Sequence, residues 1–121
     1  MFDRLKDTAA PGTALAKMAK GLDMRLMLRS GATDTLVIIR DGAVASTDDG
    51  PHVMVPWDTR IAADPDEWAA FLMPVPAPGH HDIFALLRRG AVQFDGNLLP
   101  MMQNLLYIKR LLASLRPEAS A

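Results

Sequence analysis

The residues whose types and spacing come nearest to chemistry are His80-His81-Asp82, with His52 elsewhere in the chain. A metal centre needs imidazole, thiolate or carboxylate donors that converge on one ion. His80 and His81 are adjacent at a helix start, and adjacent residues there point in different directions. They read as exposed loop histidines beside prolines, and no metal is expected. The serines stand at 30, 46, 114 and 120, and none lies in a Gly-x-Ser-x-Gly elbow. There is no cysteine, which removes thiolate catalysis, disulfides and zinc ribbons. GxGxxG, a phosphate loop with Gly-Lys-Ser/Thr, and His-Glu-x-x-His are all missing. The carboxylates of Asp48-Asp49 belong to a turn, and those of Asp64, Asp66 and Glu67 to a helix start. The chain is therefore expected to have no catalytic residues, to need no cofactor and not to be an enzyme.

What remains is apolar chemistry. Eight of the 121 residues are methionine, an unbranched side chain that adapts to variable shapes, although plain core filling uses it equally well. Met101 and Met102 fall in the stretch AVQFDGNLLPMMQNLLYIKRLLASLR, residues 91–116, which reads as a short strand, an Asp95-Gly96 turn and one long helix. Asn97 is placed as its N-cap and Pro100 fits its first turn. At about 100° per residue, its Leu, Met and Ile positions cover about two-thirds of the circumference, leaving Gln103, Tyr107, Arg110 and Ser114 a narrow polar face. A helix lying on one sheet needs a stripe only a little over about 100° wide. Lys109 interrupts the arc. It must snorkel, pair with an acid, or meet an anionic head group at a cavity mouth.

The elements that must position this helix follow from turn and periodicity signals. Residues 2–7 and 12–20 read as two short helical pieces split at Pro11-Gly12, with Gly21 ending the second. Leu22 to Arg29 alternates with period two, as a half-buried strand does. Thr35-Leu36-Val37-Ile38-Ile39 is β-branched and central in character. Asp41-Gly42 is the strongest hairpin signal, with a return strand over 43–47. A short extended piece is expected over 52–55 and a fourth strand over 57–63. Asp64-Pro65-Asp66-Glu67 starts a helix running to about Met73. Pro74, Pro76 and Pro78 make an extended connector. A further helix opens at His80 or Asp82, ends in Arg88 and Arg89, and is closed by Gly90.

That order gives an α+β fold: a mostly antiparallel sheet of about five strands with helices packed over one face, in one domain spanning 1–121. The formal charge of −1 conceals an asymmetry. Residues 1–31 carry +3, residues 32–82 carry −7 and residues 83–121 carry +3. Scatter over a solvated surface explains this, and basic ends packed together would offer a modest positive face to acidic lipids or an acidic partner. No Lys/Arg run interleaves with aromatics, so nucleic acid is not an expected partner. The N-terminus is charged with no apolar run, no stretch of about 18 apolar residues exists, and a cytoplasmic location is expected.

Asp64 to Leu72, DPDEWAAFL, then a short helix, then Gly90 to Leu98, GAVQFDGNL, opening a Leu-rich helix, resembles the sterol carrier protein-2-like family. The Asp41-Gly42 hairpin fits the same order, and the likeness spans about 22–116. The resemblance implies a non-enzymatic carrier whose sheet and helices enclose an apolar tunnel for a fatty acyl chain, sterol, phospholipid or quinone-like lipid. Leu98, Met101, Met102, Leu105 and Leu112, with Trp68, Phe71 and Phe84, are expected to line it, with Lys109 at the head-group end. Transient contact with a membrane surface goes with that reading. The alternative is that the same apolar surplus buries against a second copy, as a homodimer, or serves as an accessory subunit in lipid or quinone biosynthesis.

Overall fold

The computed structural model describes residues 2–50, 52, 55–73, 83–88 and 90–116, and the backbone alone of Phe84. The Pro74–Gly79 connector, the His80-His81-Asp82 cluster, Arg89 and the residues after Arg116 lie outside that set.

The sheet grows from the hairpin signal. Strands β1 (Met24–Ser30) and β2 (Thr33–Arg40) pair antiparallel with Leu26 opposite Val37, and β3 (Ala43–Asp48) returns along β2. Asp41 and Gly42 have φ of 51° and 80°, both positive, as the tight type I′ hairpin turn requires. Gly42 is demanded twice over, because a Cβ there would collide with the Ala16 and Ala19 carbonyls. The turn is tied down by Asp41, whose carboxylate accepts the Gly21 N–H at 2.6 Å, and by Asp23, which accepts the Asp41 N–H at 2.8 Å.

The remaining strands are β4 (Thr59–Ala63) and β5 (Val92–Gly96), and the sheet order is β3-β2-β1-β4-β5. The fold class is as expected, α+β with a mostly antiparallel sheet, but β4 pairs parallel to β1 instead of following β3. Asp58 sets this register. Its carboxylate accepts the Arg25 N–H at 2.7 Å, its own N–H donates to the Arg25 carbonyl at 2.9 Å, and the two side chains pair at 3.3 Å. Burial pushes the Asp58 carboxyl up, but the Arg25 N–H and guanidinium outweigh it and hold it below the usual value. The expected short piece at 52–55 is not a strand at the described residues His52 and Val55.

Period two divides the sheet into unlike faces. Met24, Leu26, Leu28, Val37, Ile39, Val44, Ile61 and Val92 belong to one apolar cluster. The opposite face carries the pairs Arg25–Asp58, Arg60–Asp95 at 3.2 Å and Arg29–Asp34 at 3.9 Å, with Met27 buried between them.

Among the described residues six short helices cover the apolar face: α1 (Leu5–Thr8), α2 (Ala14–Met18), α3 (Pro65–Phe71), α4 (Ile83–Arg88), α5 (Leu99–Gln103) and α6 (Leu105–Ala113). Thr13 caps α2, its hydroxyl accepting the Ala16 N–H at 3.1 Å. Pro65 occupies the first turn of α3 as the sequence indicates, but the Asp64 side chain makes no capping bond. Glycine at 90, with φ of 73°, follows α4 as expected.

The single long helix expected after Asn97 is two helices. Asn104, at φ −127° and ψ 38°, leaves the helical region, and its side-chain amide donates to the Pro100 carbonyl at 3.0 Å in place of a backbone bond. Asn97 accepts the Leu99 N–H at 3.2 Å one residue outside the helix start. The break also resets the helical phase. Tyr107, expected on the polar face, is 2% exposed, and its hydroxyl donates to the Gly42 carbonyl at 2.6 Å. A phenol can be buried here because its one donor finds an acceptor.

Tyr107→Phe leaves that carbonyl without its donor, an expected loss of about 1–3 kcal/mol by urea denaturation at neutral pH. Burial pushes the Tyr107 hydroxyl up from 10.0 to about 12. The folded state holds the neutral phenol, so this contribution is complete below about pH 10 and is lost as pH rises towards 12. The alkaline loss, about 2–3 kcal/mol, is expected in the native chain and absent from Tyr107→Phe.

Candidate functional site

The centre of the apolar layer is Trp68. The α3 start aims it inward, where it is 0% exposed and its indole N–H donates to the Arg29 carbonyl of β1 at 2.8 Å. Phe2 meets it edge-on at 5.0 Å between ring centroids and Phe71 at 6.1 Å. The Arg116 guanidinium lies 4.4 Å from the Phe71 ring centroid and its Nε donates to the Phe71 carbonyl at 2.7 Å, which joins the end of the last helix to α3.

The residues expected to line a tunnel are distributed in three ways. Trp68, Phe71, Met101 and Leu112 are buried in the single core cluster, and Leu98 packs against it. Leu105 and Lys109 are half-buried on α6, while Met102 is 48% exposed on the outer side of α5. The side chain of Phe84 lies outside the described residues. The structure adds Phe2, Ile83, Leu86, Tyr107 and Ile108 to the layer. Ile83 and Leu86 were legible as the apolar side of a short helix. Phe2 was not, because a terminal aromatic in a charged segment carries no periodic signal.

Four open grooves of about 340 to 420 Å³ are lined by described residues, and none of them is lined by a residue of the expected tunnel. The groove with the most apolar floor, about 420 Å³, lies between α2 and the hairpin: Pro11, Gly12, Ala16 and Ala43 with Lys17, Lys20, Arg40 and Asp41 around them. A polar groove on the opposite sheet face holds Arg29, Arg60, Gln93 and Asp95. Among the described residues no group of three or more His, Asp or Glu is placed to hold a metal ion, and no helix is long and apolar enough to cross a membrane.

No family model and no curated protein matches the sequence. Solved structures do match the fold. A crystal structure of sterol carrier protein 2 superposes with a TM-score of 0.71 at 17% identity, covering 95% of this chain and 92% of that one. The ubiquinone synthesis protein UbiJ-SCP2 superposes with a TM-score of 0.56 at 13% identity, over 89% and 85%. The inverting sec-alkylsulfatase Pisa1 from Pseudomonas sp. matches with a TM-score of 0.55 at 16% identity, over 86% of this chain but only 14% of the sulfatase. The chain therefore has the sterol carrier protein 2 fold, as its turn and helix-start motifs indicated.

The two classes of position are separable by stability. Trp68→Phe keeps a ring in the cluster but removes the donor to the Arg29 carbonyl, with an expected loss of about 1–3 kcal/mol. Met102→Ser is expected to stay within about 0.5 kcal/mol of the native chain. Thermal or urea unfolding followed by circular dichroism measures both.

Proposed function

We propose that this chain binds an apolar lipid between its sheet and its helices, carrying it without covalent change. The observation that supports this most is the sterol carrier protein 2 fold extending over nearly the whole chain, its apolar layer supplied by both the sheet and the helices. Trp68, Phe71, Leu98, Met101 and Leu112 form the part of that layer nearest the last two helices and α3, and they are the proposed lining. Lys109, half-buried on α6, is the proposed neighbour of a polar head group.

Desolvation drives binding. Each methylene moved from water into an apolar site is worth roughly 0.8 kcal/mol, so a ten-carbon chain supplies roughly 8 kcal/mol before association and ordering costs. Neither a hydrogen-bond code nor a reactive group is required, and selection among lipids rests on length and shape. A carrier of this kind loads and unloads at membranes, so brief contact with a bilayer is part of the reading.

Organic extraction of the purified protein, followed by mass spectrometry, is expected to release a lipid. Displacement of a fluorescent fatty acid by unlabelled acids of increasing length is expected to tighten by roughly tenfold for each two added methylenes, then level off when the site is full. The absence of both a co-purifying lipid and fatty-acid binding at micromolar concentration refutes the carrier reading.

A further inference from the structure

The polar groove on the outer sheet face carries chemistry that a lipid carrier does not use. Period two brings Arg60, Ala62 and Asp64 to one side of the chain along β4, Asp64 being still extended at φ −69° and ψ 153°. Strand pairing sets Arg29 and Gln93 on either side of Ala62, and Met27 and Asp95 on either side of Arg60. Ala62 is thus a small side chain among long polar ones, and the dip above it belongs to the groove of about 340 Å³. Both oxygens of Asp95 are committed, Oδ2 accepting from Arg60 at 3.2 Å and Oδ1 from Gln93 at 3.2 Å. The two arginines are not. Arg60 spends one Nη on Asp95, its buried Nε has no acceptor, and the Trp57 ring, with its centroid 5.1 Å from the guanidinium carbon, steadies its plane. Arg29 donates its Nε to the Gly31 carbonyl at 3.0 Å, and the Asp34 carboxylate, at 3.9 Å, is beyond hydrogen-bond reach.

One end of the groove therefore offers guanidinium N–H donors without acceptors among the described residues. Asp34 and Asp95 offset the charge of the two arginines, so these donors suit a single negative charge, a carboxylate or a phosphodiester, better than a dianion. At the other end Asp64 is exposed, and its carboxylate neither caps α3 nor pairs with a cation among the described residues. Arg29 is level with Ala62, and Asp64 stands two residues further on, roughly 6–7 Å along an extended strand. Ammonium and carboxylate stand about that far apart in a four-carbon ω-amino acid or a dipeptide, and much closer in an α-amino acid. We propose that this groove binds small zwitterions in which an ammonium and a monoanionic oxyacid are about four or five bonds apart, the oxyacid held by Arg29 and Arg60 and the ammonium by Asp64. Free ω-amino acids, dipeptides and the ethanolamine phosphodiester of a lipid head group share this chemistry. The groove lies on the face away from the apolar layer, so the proposal does not depend on the carrier reading.

Titration at low ionic strength with γ-aminobutyrate, glycylglycine and glycerophosphoethanolamine, followed by amide chemical shifts, tests it. At least one of the three is expected to bind at roughly millimolar concentration and to move the amides of Ala62, Ala63 and Gln93. Tightest binding of glycerophosphoethanolamine identifies the head group as the source, and tightest binding of either other probe identifies a free metabolite. Glycine, butyrate and butylamine, each lacking a charge or the spacing, are expected to bind roughly tenfold more weakly or worse. Arg29→Gln is expected to weaken zwitterion binding roughly tenfold. Asp64→Asn is expected to erase the preference for γ-aminobutyrate over butyrate, which a merely structural role for Asp64 would not do. Circular dichroism checks the fold of both variants. The site is overturned if none of the three zwitterions binds at tens of millimolar, if butyrate matches γ-aminobutyrate in the native chain, if the shifted amides lie elsewhere, or if neither variant alters binding. Both variants should retain fluorescent fatty-acid binding. A native chain that binds a zwitterion but no fatty acid removes the carrier reading and leaves this site standing.

Discussion

The hydrogen bond from the Trp68 indole to the Arg29 carbonyl is the constraint on which the rest of the architecture depends. An indole N–H buried without an acceptor costs about 1–3 kcal/mol, so the packing that seats α3 against β1 is favoured where β1 offers a carbonyl. Once it does, Phe2 and Phe71 close on two edges of the ring, and Arg116 closes on Phe71 from outside. Near-terminal residues at both ends of the described chain thus meet around one side chain near its middle. The apolar layer between sheet and helices takes its shape from that arrangement.

Signals of short range were read correctly because the physics is local. Asp41-Gly42 specifies its turn through positive φ at both residues, Pro65 marks the first turn of α3, and Gly90 follows α4 in the conformation that suits glycine. The alternation of Leu26 and Leu28 with Arg25 and Arg29 placed β1 and its core face. What escaped the sequence depended on distant partners. The parallel seating of β4 is imposed by Asp58 exchanging bonds with Arg25, thirty-three residues away. The break at Asn104 depends on a side-chain amide replacing a backbone donor, and any Asn within an apolar run looks the same.

The apolar layer between sheet and helices was legible in kind more than in membership. An arc wider than one sheet can cover correctly announced surplus apolar area on the final helices. Periodicity drawn through an unbroken helix could not divide that area into inner and outer parts. Met102 on α5 and Leu106 on α6 are turned out, while Tyr107, beyond the break, is turned inward. The charge asymmetry was likewise visible, with its geometric sense hidden. Its acidic middle includes Asp34 and Asp58, which are paired with arginines on the outer sheet face, while the basic ends meet where α2 approaches α6.

The bond from Tyr107 to the hairpin tip joins residues 65 positions apart, and it orders events during synthesis. Strands β1 to β3 can leave the ribosome and pair while the codons for α6 are still untranslated. Until α6 follows, the Gly42 carbonyl lacks its phenolic donor and the apolar face of the sheet lacks its last cover. The native state is consequently completed only late in translation, and a nascent chain stalled before Tyr107 presents a formed hairpin over an open apolar face.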